Sequence, residues 1–326
     1  EIFIYSYGKF QDEVTARLKE NVNTFRDVSL LTDEEIALIA RKDKLDIAID
    51  LKGFTRETRL SIFAHRVARI QISYLGYPGS IGAKFIDYLI ADRTLIPKEY
   101  EKFYSEKIIF MPNTYQCNDD SKTIPNLKLN RKDFNLPEGA VIFTCFNAAF
   151  KITEIEFNIW MRLLKEIDNS HLWLLSSNIF MEENLKREAA KRGIDKSRLT
   201  FAKKIALDKH LARHSLGDIF LDTFNYNAHT TASDALWGGM PLITYAGKSF
   251  SSRVSASLLT SLGLSELICS SEKEYYEKAL DLARNPRKVS YLKQKISKNK
   301  FSHPLFDSRL FIKNYEFQIK KVIESD

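Results

Sequence analysis

Asp218-Ile-Phe-Leu-Asp222-Thr223, followed closely by Asn227-Ala-His-Thr-Thr-Ala-Ser-Asp-Ala-Leu-Trp237, is the stretch that decides how this chain is read. An apolar strand stops, a short polar loop holds His229, Thr230 and Thr231, and a helix opens. Such a junction presents backbone N–H groups and hydroxyls to an anion, which is how a diphosphate is held. Asp234, one turn into the helix, is placed where a carboxylate could accept hydrogen bonds from a neighbouring ribose diol. The same residues also read as plain helix chemistry, with Thr230 or Thr231 as N-cap and Asp234 favouring the helix dipole.

The rest of the chain extends this strand-to-helix plan. With 326 residues, 44% hydrophobic and 28% charged, two globular domains are expected rather than one core. No apolar run reaches the roughly 18 to 20 residues that a membrane span needs, and no signal-peptide order is seen at the start, so a soluble, cytoplasmic protein is expected with no membrane partner. The three cysteines, Cys117, Cys145 and Cys269, lack CxxC spacing and read as buried thiols, with no metal site indicated. The formal charge of +7 comes from lysines interleaved with acids on helical patterns. No basic stretch is interleaved with stacking aromatics, so nucleic acid is not an expected partner.

In the first half, Ile2–Ser6, Asp46–Leu51, Ile70–Tyr74, Tyr88–Ala91 and Lys107–Phe110 read as strands. Gln11–Asn23, Thr32–Lys42 and a shorter Arg59–Ala64 read as helices, with Thr32 and Glu35 forming a capping box. In the second half the strands are Val141–Phe146, Leu172–Leu175, Leu199–Phe201, Ile219–Leu221 and Leu242–Thr244, each followed by a helical pattern. The expected class is therefore α/β with two doubly wound, largely parallel sheets. The domains are placed at residues 1–118, a linker at 119–138 rich in Asn, Asp, Lys and Pro, a second lobe at 139–302, and a last helix at 303–326. That helix carries Leu310, Ile312, Tyr315, Ile319 and Ile323 on roughly one stripe. Ligands in this architecture bind at the carboxyl ends of strands, so a cleft between the lobes is expected to be lined by strand-to-helix junctions.

Three further junctions are candidates. Phe146-Asn147-Ala-Ala-Phe-Lys151 follows a strand, with Thr153 and Glu156 capping the next helix; Lys151 could meet a phosphate there, or be a solvated loop lysine. Lys203 to Asp208 leads into a helix capped by Asp208, where His210 and Arg213 share a face. They could bracket a nucleobase, or be surface helix residues. Ser73 to Gly82 is a glycine-dense loop that could approach a sugar or be a structural turn. This loop lacks the Lys-Ser/Thr that follows the glycines of a P-loop, and Gly247-Lys248-Ser249 lacks a glycine five positions earlier, where Leu242 stands, so neither reads as one.

These pieces occur inside longer motifs: DLKGFT (Asp50–Thr55), LGYPGSIGA (Leu75–Ala83), DYLIADR (Asp87–Arg93), YSEKIIFMPNTYQ (Tyr104–Gln116), FNAAFKI (Phe146–Ile152), HTTASDALW (His229–Trp237) and SRVSASLL (Ser252–Leu259). In their order and gaps they resemble the catalytic region of the O-linked N-acetylglucosamine transferase and SPINDLY group, glycosyltransferase family 41, of bacterial type. The resemblance implies a GT-B fold: two Rossmann-like lobes with the nucleotide sugar in the cleft and the final helix returning to the first lobe. It implies inverting transfer of a sugar, GlcNAc from UDP-GlcNAc before others, to Ser or Thr hydroxyls of a protein or peptide, with no cofactor and no required metal. By match to the family's motifs, Lys151 is the catalytic residue, stabilising the leaving diphosphate. His229, Thr230 and Thr231 would also face the diphosphate, Asp234 the ribose, His210, Arg213 and the Ala206 backbone the base, and Leu75 and Gly76 the donor sugar. Asn147 joins the nucleotide-sugar contacts.

Departures accompany the likeness. The animal enzymes have glutamine where Ala148 stands, lysine where Leu207 stands, and a long insert between the lobes. An Asp-Phe-Gly-x-His motif is expected before Glu1, and tetratricopeptide repeats are expected in the full-length protein. The alternatives kept open are a noncatalytic nucleotide-sugar-binding or scaffold fragment, a protein O-fucosyltransferase using GDP-fucose, and a nucleotide-sugar epimerase.

Overall fold

The computed structural model describes residues 1–8 and 12–325. The chain divides into two compact units, Glu1–Ile90 with Lys102–Ile108, and Ala91–Glu101 with Ile109–Asp326. In the first half the elements are β1 (Phe3–Ser6), α1 (Glu13–Glu20), β2 (Thr24–Asp27), α2 (Asp33–Lys42), β3 (Ile47–Asp50), α3 (Ser61–Ala64), β4 (Ile70–Ser73), β5 (Tyr88–Asp92) and β6 (Lys107–Met111). β1 and β2 pair in parallel, Phe3 opposite Thr24. A four-stranded sheet runs β3-β4-β5-β6, parallel where Ile47 faces Ile70 and Ile72 faces Tyr88.

Strands β4 and β5 are buried along their whole length, as a parallel sheet covered on both faces requires. Gln71, the one amide in β4, is satisfied: its Nε2 donates to the carbonyls of Phe63 at 2.8 Å and Phe85 at 2.6 Å, and its Oε1 accepts from Val67 N–H at 2.9 Å. Helix α2 starts at the expected capping box, Thr32 N–H donating to Glu35 at 2.8 Å and Glu35 N–H to the Thr32 hydroxyl at 3.2 Å. It buries Ile36, Ala37 and Ala40 against Val28, Ala48 and Ile62. The expected helix from Gln11 begins outside the described residues; α1 starts after the N-cap Asp12 and ends at Glu20. β2 was not expected, because Thr-Phe-Arg-Asp shows no apolar alternation and becomes a strand only by pairing with β1. The first half thus corrects the reading in one strand and in helix length.

The second unit contains β7 (Val141–Cys145), α4 (Glu154–Glu166), β8 (Ser170–Leu175), α5 (Ile179–Lys191), β9 (Leu199–Ala202), α6 (Leu207–Arg213), β10 (Ile219–Leu221), α7 (Thr230–Trp237), β11 (Leu242–Tyr245), α8 (Val254–Ser261), β12 (Ile268–Cys269), α9 (Glu272–Arg284), α10 (Pro286–Asn299) and α11 (Ser308–Ser325). Its six strands run β12-β11-β10-β7-β8-β9, in parallel pairs. Read from β9, this is the doubly wound order in which the chain reverses its direction of travel between β7 and β10. The crevice for a ligand therefore opens beyond Cys145 and Leu221. The five strands expected here are present to within two residues at either end; β12 is added by two residues that pair with β11.

The expected linker lies wholly within this second unit. Arg131 donates to the carbonyls of Ala140 at 2.6 Å and Leu216 at 3.2 Å and pairs with Asp218 at 2.9 Å. Asn118 donates to the Leu305 carbonyl at 3.1 Å, and Asp120 accepts from the Ser308 hydroxyl at 2.6 Å, so the last helix starts on this segment. Phe311 and Val322 are buried on it; of the expected stripe Leu310, Tyr315 and Ile319 are half-buried, while Ile312 and Ile323 are exposed, which corrects the stripe at those two positions. Cys145 and Cys269 are buried but Cys117 is exposed, correcting the reading of three buried thiols. Among the described residues, no helix is long and apolar enough to cross a membrane.

The loop after β4 is set by close backbone approach. Leu75 has φ of 67°, and a Cβ on Gly76 would stand 2.0 Å from the Leu51 carbonyl oxygen. Backbone rather than a pliant side chain would have to yield. Gly76→Ala should lower the unfolding free energy by about 1–3 kcal/mol, read as a lower urea midpoint; an unchanged midpoint would show that Leu51 moves freely.

Candidate functional site

At the reversal point of the second sheet, the loops after β7 and β10 are joined by one carboxylate. Asp222, with no exposed surface, accepts from Thr223 N–H at 2.9 Å, Ala228 N–H at 2.7 Å, the Thr244 hydroxyl at 2.8 Å and the Asn147 amide at 3.1 Å. Burial pushes its pKa up to about 6 although these donors favour the ionised form. Asn147 is 1% exposed, and its Nδ2 also donates to the Thr223 hydroxyl at 2.8 Å. Its donors are thus spent inside the fold, and the expected contact role would fall to its Oδ1, which has no hydrogen-bond partner among the described residues.

Lys151 ends a short 3-10 turn, Ala149–Lys151, in front of α4. The start of α4 is set by Glu156, which accepts Thr153 N–H at 2.6 Å. The Lys151 ammonium donates to the Asn227 carbonyl at 2.8 Å and lies 3.9 Å over the Tyr226 ring. Burial lowers its pKa to about 8, with Asp222 acting to hold it up. Tyr226 in turn stacks on His229 at 4.6 Å, 23° from parallel. Tyr226 was not singled out in the sequence, where nothing marks it apart from its place five residues after the end of β10.

His229 is the residue before α7, and Ala232 and Ser233 both donate to its carbonyl. The N-cap reading of Thr230 or Thr231 is therefore corrected: both lie within the first turn, where N–H groups have no carbonyl behind them in the helix. His229 Nε2 stands 3.2 Å from the Ser251 carbonyl oxygen. A carbonyl only accepts, so the proton sits on Nε2 and Nδ1 carries the lone pair. Burial, with Lys151 nearby, lowers this imidazole to about 3, so it is neutral.

The start of α6 is also corrected. Ala206, exposed, is its N-cap, accepting His210 N–H at 2.8 Å, and Asp208 lies within the first turn. His210 and Arg213 do not bracket a gap, as expected of a base clamp; they bond to each other, Arg213 Nη2 to His210 Nδ1 at 2.6 Å. Arg213 is 1% exposed, donates to the Lys203 carbonyl at 2.8 Å and lies 4.6 Å over Phe146. Because a guanidinium only donates, it makes His210 Nδ1 the acceptor and leaves the proton on Nε2. Burial and then Arg213 lower His210 to about 4. Arg213 thus orients His210 from behind.

Asp234 is 7% exposed and is not open: Lys122 pairs with it at 3.3 Å. Burial raises its pKa, and Lys122 works against that. Its neighbour Ser233 accepts from Gln116 Nε2 at 2.6 Å. Lys122 lay in the expected linker, and only the tertiary structure brings it to α7. Leu75 and Gly76 stand in the first unit, after β4, and the group in the second unit is assembled without them.

The model of glycosyl transferase family 41 matches residues 1–130 and 127–315. The chain belongs to glycosyltransferase family 41. It is 37% identical over 323 residues, 97% of this chain and 33% of the relative, to the probable UDP-N-acetylglucosamine–peptide N-acetylglucosaminyltransferase SEC of Arabidopsis thaliana. It is 30% identical over 325 residues, 97% of this chain and 35% of the relative, to the similarly named SPINDLY protein of Oryza sativa subsp. japonica. This family 41 chain thus spans about a third of the length of these curated relatives. A mutant O-GlcNAc transferase of Thermobaculum terrenum superposes with a TM-score of 0.93 at 28% identity, covering 100% of this chain and 62% of that one. The fold is GT-B, with Rossmann-like lobes.

Removing Lys122 would leave Asp234 buried without its cation. Lys122→Met should destabilise the second unit by about 1–3 kcal/mol near neutral pH. The loss should shrink at acid pH, because burial raises this carboxyl's pKa and, once it carries its own proton, it needs no partner. Urea titrations at the two pH values check this; an equal loss at both would assign Lys122 to packing alone.

Proposed function

We propose that this family 41 chain is the donor-binding and transfer region of an enzyme that moves GlcNAc from UDP-GlcNAc to Ser or Thr hydroxyls of proteins. The observation that carries the reading is the cluster at the reversal point of the second sheet: a cation, Lys151, beside an aromatic pair that leads into the first turn of α7. The diphosphate takes the free N–H groups and hydroxyls of Thr230 and Thr231 and the ammonium of Lys151. The acceptor oxygen attacks the anomeric carbon from the face opposite the diphosphate. That bond forms as the carbon–phosphate-oxygen bond breaks, its electron pair goes to the diphosphate, the hydroxyl proton is released, and the anomeric configuration inverts. Lys151 matters most at that moment, because the negative charge on the departing oxygen is then growing.

The base and ribose follow the same logic. His210 offers Nε2–H to a base carbonyl, with the Ala206 backbone alongside and Arg213 fixing the ring. Asp234 accepts from the ribose diol, exchanging or sharing its bond to Lys122. His229 can donate from Nδ1 only after taking a proton, a change that an arriving phosphate dianion favours; Asn147 contributes Oδ1. Transfer without a metal belongs to this proposal, supported by the cation and helix terminus available to the diphosphate. A cytoplasmic setting fits the free thiols. The relatives' greater length leaves room for repeats that grip the acceptor protein.

Calorimetric titration should show UDP binding in preference to GDP, with affinity falling above about pH 8 as Lys151 loses its charge. Preference for GDP would redirect the reading to fucose. Lys151→Met should lower transfer by about 10²- to 10³-fold in the full-length enzyme. Turnover near the wild-type rate would remove Lys151 from the mechanism.

A further inference from the structure

Asp222 ends the strand that opens the decisive stretch of sequence but has no role assigned there, yet the site is built around it. Its two oxygens collect donors from three places: Asn147 beyond β7, Thr223 and Ala228 in the turn after β10, and Thr244 in β11. Inside that turn the Asn227 amide donates to the Thr223 carbonyl at 2.6 Å and the Thr223 hydroxyl to the Tyr226 carbonyl at 2.6 Å. The turn closes on the carboxylate, and its outer edge presents the Asn227 carbonyl to the Lys151 ammonium. Tyr275 of α9 holds the same strand end from below, donating to the Asp222 carbonyl at 3.0 Å.

We propose that Asp222 is the positioning residue of Lys151: it folds the turn that receives the ammonium and supplies the buried negative charge that the ammonium faces. The role rests on the reading of Lys151 as the cation of the diphosphate site. The groups around Asp222 leave it that task. Cys145 of β7 and Tyr275 of α9 are kept neutral by burial. Thr244 of β11 donates its hydroxyl to Asp222, and Ser255 of α8 donates its own to the Ala228 carbonyl; neither carries charge. Glu156 of α4 is taken up by Thr153 at the start of its own helix, and His229 beside Lys151 is neutral. Lys151 is the ammonium on which the Asp222 charge acts.

Trace acetylation of Lys151 by acetic anhydride, read by peptide mass spectrometry across pH, tests this without an acceptor or any turnover. The neutral amine reacts, and below its pKa an isolated amine loses about tenfold reactivity per pH unit. As Asp222 takes its proton near pH 6, the facing charge disappears and the amine holds its own proton less firmly. The wild-type chain should therefore lose less than about tenfold per unit between about pH 7 and pH 5. In Asp222→Asn the amide can pair with the unpartnered Asn147 Oδ1, and Lys151 reactivity at pH 7 should rise about tenfold. A full tenfold slope through that window in the wild type, or unchanged reactivity in a folded Asp222→Asn, overturns the proposal; if the variant does not fold, the wild-type slope decides. Added UDP should protect Lys151. A shallow slope without protection would uphold Asp222 as the partner of Lys151 and end the nucleotide reading instead.

Discussion

A carboxylate taken fully out of water costs several kcal/mol unless hydrogen bonds replace its hydration. Asp222 is in that position at the reversal point of the second sheet, and it is offset by donors from the β7 loop, the β10 turn and β11. The arrangement fastens three strand ends with one charge. It also explains why the turn from Thr223 to Ala228 is ordered enough to carry an aromatic stack and to deliver the chain into α7. Were Asp222 apolar, Thr223 and Ala228 N–H would be buried without acceptors, and the turn would open.

The same charge sets the electrostatics in front of it. Burial works against the charge on Lys151, and a carboxylate behind the Asn227 turn offsets part of that loss. The two groups are not a direct pair: the ammonium bonds to a carbonyl, which leaves it free to exchange that neutral partner for an anion. A direct ion pair would have to be broken first, at greater cost. His229, stacked on Tyr226, stays neutral beside the ammonium and so adds no like charge.

Elsewhere the candidate groups hold one another in reserve. Lys122 occupies Asp234, and Arg213 occupies His210. Neither partner is idle. Lys122 keeps a buried carboxylate in the form that accepts hydrogen bonds, and Arg213 sets the tautomer in which His210 donates. Lys122 reaches its carboxylate from 112 positions away, whereas Arg213 stands one turn from His210 on the same helix.

The α/β class, the strands of the second sheet and the motifs naming the family were determined by the sequence itself, because strand burial and strand-to-helix junctions leave local marks. Continuous apolar runs such as Leu172–Leu175 record a sheet covered on both faces, and Thr32 with Glu35 records a helix start. What was not legible depended on distant partners. Thr24–Asp27 is a strand only beside Phe3–Ser6, Asp222 is a hub only because four donors converge on it, and Lys122 leaves the expected linker only by meeting Asp234. Local propensity and spacing report on neighbours within a turn or a strand. Which charge is buried and what it is paired with are decided by residues far apart in the chain, where burial rather than spacing sets the energy.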